Sequence, residues 1–256
     1  MRLYPESAPQ QLEFDKVKQL LVQHCKTVYA QEKAAELRVH TKKEYIELDL
    51  RQTFEYKLLL QQGLYFPNDF SINNYKDIKL LGIPGALLVS EQWMDIRKLV
   101  TNISNIFRWF DTEKKMAYHA LSKVIEHTYY EKVILELIDE VLDESGFVKD
   151  KASEELFNIR MRLFKRRNEL RRMFEKVVSK LNKAGYSAEI EEGFSNGRRV
   201  VAVFAEHKRQ VKGILHGESD SRKTAFIEPE ETIPLNNEVF SLENEEALEV
   251  QRILRA

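Results

Sequence analysis

Two helical segments of opposite charge, separated by a β-rich stretch, constrain this chain more than any other feature. Residues 151–185 hold eleven Lys and Arg against four Glu, whereas residues 225–251 hold eight Glu and no Lys or Arg. In the basic segment, Leu156, Ile159, Leu163, Leu170, Phe174, Val177 and Leu181 recur in steps of three, four and seven, a coiled-coil-like seam. Ser153 is a good N-cap for it, and Glu154 and Glu155 stand where the helix dipole favours anions. Antiparallel helices of opposite sign can pair along their flanks, each ion pair weak but all of them helping to choose the partner. Between the two, Gly185 to Pro234 is the one part of the chain that reads as β. It contains Asn196-Gly197, which supplies the positive φ angles of a tight hairpin turn, and the run Arg199-Val200-Val201-Ala202-Val203-Phe204-Ala205. The pattern predicts a small sheet inserted between the halves of an antiparallel helix pair.

The rest of the chain reads as helix. Leu12, Val17, Leu20, Leu21, Val28 and Ala35 carry helical spacing over 12–38. Thr41-Lys42-Lys43-Glu44 fits a capping box, so a second helix is expected from Thr41 towards Gly63. Residues 63–90 form the loosest stretch, and further helices are expected over 91–110, 113–127 and 130–143. Nine Gly and six Pro leave little room for a many-turned all-β chain, which again favours a mainly α fold.

Several chemistries are missing. No G-x-x-x-x-G-K-[ST] loop is present to cradle phosphates, and there is no H-E-x-x-H or Cys/His set at zinc spacing. The six His are scattered. Cys25 follows His24 on a helix, where neighbours diverge by ~100° and form no dyad, so it reads as core filler. The chain is therefore expected not to be an enzyme by itself, with no catalytic residue, cofactor or metal of its own, and no ATP hydrolysis. A single Cys rules out an internal disulfide and suggests a reducing compartment. No run approaches the ~18 apolar residues of a membrane helix, and the N-terminus has no signal-peptide h-region. A soluble cytoplasmic protein without a membrane partner is expected.

The net charge of −1 points to no nucleic-acid partner; only local charge could. Between Arg198 and Lys223 the cations Arg198, Arg199, Lys208, Arg209, Lys212, Arg222 and Lys223 face three acids, Glu206, Glu218 and Asp220. A basic tip on a long lever is an electrostatic footprint for a polyanion. These seven are the candidate nucleic-acid-binding residues, with Arg198 and Arg199 at a hairpin end where a duplex backbone could approach. The plainer reading is a loop rich in Lys and Arg for solubility. The Arg-rich helix face around Arg166, Arg167, Arg171 and Arg172 is the second candidate, and its plainer reading is a solvated face paired with the acidic helix.

Six ordered blocks carry a resemblance. They are Leu12-Glu13-Phe14-Asp15-Lys16-Val17, Leu50-Arg51-Gln52-Thr53-Phe54-Glu55, the run from Gly146 to Leu156 with Ile159-Arg160, Val211-Lys212-Gly213-Ile214-Leu215-His216, Phe226-Ile227-Glu228-Pro229, and Leu235-Asn236-Asn237-Glu238. Together they resemble the N-terminal part of the second bacterial MutS subfamily, the Smr-bearing MutS paralogues, over essentially the whole chain. Two departures stand out. Ser221-Arg222-Lys223-Thr224 places an Arg where the family's Gly allows a positive φ. Val201-Ala202-Val203 replaces a Leu-Pro-Val strand and should pair more regularly.

The resemblance implies a MutS core/clamp-like fold: a helical core over 1–150, lever helices over 151–184 and 236–256, and a β clamp over 185–235. It implies non-sequence-specific backbone binding to duplex or branched DNA in a protein of repair and recombination suppression. The alternative it offers is a protein-interaction scaffold, for example one docking on collided ribosomes. ATP and Mg, and a homodimer, are implied only for an ATPase domain that would follow, with an Smr nuclease domain after it. The chain stops at Ala256 inside a helix and reads as a fragment, with a degenerate short paralogue as the alternative. At ~1.5 Å per residue the outgoing lever is about 48 Å long and the return about 32 Å. The base of the outgoing helix is then expected to lack a partner, and the C-terminus to fray.

Overall fold

A computed structural model describes residues 7, 11–37, 40–68 and 70–255. It is mainly helical, with one small antiparallel sheet, and divides into two compact units, one ending at Phe147 and one beginning at Val148.

The first unit contains α1 (Phe14–His24), α2 (Val28–Ala35), α3 (Lys43–Gln61), α4 (Tyr75–Leu81), α5 (Ser90–Trp109), α6 (Thr112–Ala117), α7 (His119–Ser122) and α8 (Lys132–Val141). The helix expected over 12–38 is broken. Cys25 takes an extended conformation, and Thr27 caps a new helix by accepting from the Ala30 amide at 3.2 Å, a start signal the periodicity had masked. Cys25 is half-buried rather than core, and its thiol donates to the Leu21 carbonyl. The Thr41 capping box does not form: Lys42 is the N-cap, without a side-chain bond. Helix α4 lies inside the stretch that reads as loosest.

The helix expected over 113–127 breaks at Tyr118, and Glu55 and Gln52 of α3 explain why. The Glu55 carboxylate accepts from the amides of Ala120 and Leu121 at 3.1 and 2.7 Å. Gln52 Nε2 donates to the Ala120 carbonyl at 3.1 Å. A carboxylate at the first amides of α7 satisfies donors that a continuous helix would have paired internally. Around this junction Leu59, Phe110, Tyr118 and Leu121 form a buried cluster, with Phe66 edge-on to Trp109 and Phe110.

The second unit contains the long helix α9 (Glu154–Ala184), strands β1 (Ser187–Ser195), β2 (Arg198–Phe204), β3 (Gly213–Glu218) and β4 (Thr224–Pro229), and helix α10 (Ile233–Arg255). The sheet order is β1-β2-β4-β3. Val201, Ala202 and Val203 pair without interruption against Ile227, Phe226 and Ala225. Asn196 and Gly197 both take positive φ, 51° and 77°, as a primed turn needs. Gly213 is fixed by close approach: a Cβ there would lie 2.0 Å from the Glu228 carbonyl oxygen.

The apolar seam of α9 is split between two partners. Its C-terminal part, Phe174 and Val177, is buried against Val201, Val203, Ala225 and Ile227 of the sheet. Its N-terminal part, Leu163 and Leu170, is buried against Val239 and Leu242 of α10. The base of α9 therefore does have its partner, contrary to the length argument. The sheet lies along the last turns of α9, so α10 starts part-way down and its 23 residues reach the other end.

At that end the Ser153 hydroxyl both caps α9, accepting from Leu156 N at 2.9 Å, and donates to Glu249 at 2.6 Å. The Arg252 hydrogen bonds first, and Ser153 next, hold the Glu249 carboxyl down at about 2 from its ordinary 4.5, burial opposing them. A carboxyl lowered in the folded state contributes stability that is complete above its unfolded value and is lost as pH falls towards the folded one. Unfolding midpoints in urea should thus fall as pH drops from about 5 to about 3, and Glu249→Gln should flatten that decline.

Candidate functional site

The seven candidate cations do not form one surface. Strand register fixes the two ends of the sheet. Ser195, Arg198, Gly213 and Pro229 share one end, and Ser187, Phe204, Glu218 and Thr224 the other. Arg198, Arg199 and Lys212 belong to the first. Lys208, which pairs with Glu218, Arg222 and Lys223 belong to the second. Arg209 is exposed in the connection between β2 and β3.

The Asn196-Gly197 turn folds back against the helix pair, so Arg198 and Arg199 are used structurally. Arg198 Nη1 donates to Glu228 Oε1 at 2.7 Å and Nη2 to Asn237 Oδ1 at 2.6 Å. The Arg199 guanidinium lies 4.8 Å from the centroid of the Phe174 ring, a cation–π distance. Its backbone is bracketed by Asn236, which accepts from Arg199 N and donates to Arg199 O, each at 3.3 Å.

Glu228, 0% exposed, is the centre of this junction. Its Oε1 also accepts from Asn236 Nδ2 at 2.9 Å, and its Oε2 accepts from His216 Nε2 at 2.8 Å. One carboxylate so joins β2, β3, β4 and the first turn of α10. Composition and spacing gave no reason to single out Glu228. The signal was its place in a block beside two others, those of His216 and Asn236, to which it bonds. Isolated buried carboxylates are costly, and this one is compensated by a guanidinium and two further donors.

Helix α9 sorts its own cations. Arg160 pairs with Glu246 and Asp150, Arg162 with Glu245, Arg166 with Glu169 and Glu238, Arg167 with Glu243 and Arg171 with Glu175. Lys180 stands 3.9 Å from Glu231. Of the second candidate set, therefore, only Arg172 lacks an acidic partner among the described residues. It is joined by Lys165, Lys176 and Lys183, all exposed. Steps of seven, four and seven return to one face of a helix, so the unpaired four form a row of about 27 Å at ~1.5 Å per residue. Every helix cation on the flanks facing α10 is neutralised, and the outer row is left charged. Among the described residues no cluster of His, Cys, Asp and Glu could hold a metal ion, and no helix is long and apolar enough to cross a membrane.

No family model matches the sequence. Proteins named Endonuclease MutS2 do align with it. That of Aquifex aeolicus is 28% identical over 250 residues, covering 95% of this chain and 32% of its own length. That of Lactococcus lactis is 30% identical over 245 residues, 95% of this chain and 31% of its own. That of Streptococcus agalactiae is 26% identical over 247 residues, 96% and 31%. The chain matches a region of MutS2. It spans about a third of the length of these MutS2 relatives.

Two substitutions test the site as built. Arg198→Ala removes the charged partner of a buried carboxylate and should cost about 3 kcal/mol in urea unfolding. Arg222, where the resemblance leads one to expect Gly, takes φ 55°. The turn is pinned there because Arg222 N donates to the Ser219 carbonyl and Thr224 N to the Ser219 hydroxyl. Arg222→Gly should raise stability by about 1 kcal/mol in the same measurement.

Proposed function

We propose that this chain is the nucleic-acid-binding core and clamp region of a MutS-like DNA-processing ATPase, gripping phosphate backbones without reading sequence. In this reading the first unit is the core, α9 and α10 are the levers, and the sheet is the clamp. The ATPase and nuclease belong to other parts of the whole protein, as do ATP, Mg and the dimer interface. The name of the relatives, an endonuclease, supports a nucleic-acid substrate for the full-length protein.

The observation that carries the proposal is the outer row of α9. Acidic partners cover the other Arg of this helix, yet Lys165, Arg172, Lys176 and Lys183 keep their charge along about 27 Å. That is most of the ~34 Å of a duplex turn. Lys212, Lys223 and Arg209 are further exposed cations without an acidic partner among the described residues. Phosphate contacts of this kind position a duplex and carry no sequence information.

A scaffold reading, docking on a ribosome or a protein, has its own observation: Phe157, Met161 and Phe164 are exposed at helical spacing on α9. Salt separates the two, because phosphate binding releases counterions. Three to five neutralised phosphates give a log–log slope of roughly −3 to −4.5 for duplex binding measured by fluorescence anisotropy. Replacing Lys165, Arg172, Lys176 and Lys183 by Gln should weaken binding alike on all sequences and flatten the slope by roughly 0.9 for each phosphate no longer neutralised. A flat slope in the wild type would favour the scaffold.

A further inference from the structure

Where the β1–β2 hairpin folds back on α9 it leaves a furrow. One part is a cleft of about 270 Å³ bounded by Arg167 and Arg171 of α9, Phe194 and Arg199 of the hairpin, and Asn236 and Glu243 of α10. An adjoining cleft shares Arg171 and Arg199 and continues along the helix to Lys183. From Arg167 to Lys183 the furrow runs about 24 Å at ~1.5 Å per residue.

Phe194 and Arg199 are register partners on neighbouring strands, so their side chains share one face of the sheet. The two differ sharply in environment. The Arg199 guanidinium is packed on the Phe174 ring, whereas Phe194, at the rim of the cleft, is 77% exposed. An aromatic ring left in water beside guanidinium groups lacks a flat apolar partner. Beside Arg199, which is taken up on Phe174, the described lining residues carry the cations Arg167, Arg171 and Lys183 against Glu175 and Glu243. The two acids sit in exposed pairs with Arg171 and Arg167, which are weak and can be exchanged for a phosphate.

We propose that this furrow binds a single-stranded nucleic-acid segment, one base stacking on Phe194 while Arg167, Arg171 and Lys183 hold the phosphates beside it. The inference rests on the nucleic-acid reading of the preceding section and assigns that region a second kind of subsite. Only an unpaired base offers a free π-face to an aromatic side chain. A duplex keeps its bases stacked inside and is too wide for a cleft of this size. The outer row and the furrow are therefore complementary and meet at Lys183, which ends both: Lys165, Arg172 and Lys176 face a backbone, and the furrow takes a strand that has left its duplex.

The test uses the whole chain, fluorescence anisotropy, and two probes at low salt: a labelled oligothymidylate and a blunt duplex. Phe194→Ala should weaken oligothymidylate binding roughly five- to a hundred-fold, the range of one stacked base, and leave duplex binding within about twofold. Phe194→Trp should restore it. Lys165→Gln with Lys176→Gln should weaken the duplex. Phe194 is exposed, and unchanged urea midpoints verify that its variants fold. If the wild type binds duplex but not oligothymidylate, or if Phe194→Ala leaves both probes unchanged or weakens both equally, the furrow subsite is wrong while the backbone reading stands. If neither probe binds at low salt, both are wrong.

Discussion

The ion pair between Glu228 and Arg198 is the constraint on which the second unit depends. Glu228 is fully buried and reaches three elements besides its own strand, through Arg198 on β2, His216 on β3 and Asn236 on α10. A charge taken so far from water is tolerable only when donors meet it, and here both oxygens are met, which ties the four elements together at one point. Gly213 belongs to the same constraint, because its lack of a side chain lets the start of β3 close on the Glu228 backbone. The hairpin must then fold back onto the helices. That fold-back buries Val201 and Val203 on Phe174 and Val177 and opens the furrow at its edge.

Charge pairing along α9 has a second consequence, for the surface. Basic and acidic helices side by side bring their flanking charges together, and α10 supplies Glu238, Glu243, Glu245 and Glu246 to four different Arg of α9. Exposed pairs add little stability individually, but they decide which cations stay available to a polyanion. Counting Lys and Arg along the helix overstates its affinity for phosphate; the unpaired row is the relevant quantity. The long lysines of that row keep their charge in water and hold no fixed geometry, which suits binding to a backbone of any sequence.

Much of the second unit was legible in the sequence. The seam from Leu156 to Val177, the Ser153 cap, the Asn196-Gly197 turn and the opposite charges of the two helices all have local causes, and all are present. The first unit was read less well, because its helix breaks are set by partners distant in sequence. Nothing local at Tyr118 announces that Glu55 will cap the next turn, and Thr27 is one residue inside an otherwise continuous period. The candidate cations are scattered over two ends of the sheet for the same reason. Arg198 and Arg199 follow a turn and look exposed, yet the turn points at the helix pair. Only the long-range register of β2 and β4 and the position of Asn236 could have revealed that.

The blocks that carry the family resemblance now have a physical meaning. Gln52 and Glu55 hold the turn into α7. Arg160 ties the Val148 carbonyl and Asp150 to Glu246. His216, Glu228 and Asn236 close the sheet on α10. Each is a polar clamp between separate segments, and it is costliest to change at Glu228 and Asn236, where the partner left behind would be buried without a bond. Residues of this type are poor guides to chemistry and good guides to architecture. Chemistry should instead be sought where side chains bear an unmet cost: the unpaired row of α9, whose charges repel one another, and Phe194, whose ring stays in water. A partner offering phosphates and an unpaired base would relieve both costs, and it would do so without disturbing any of the clamps.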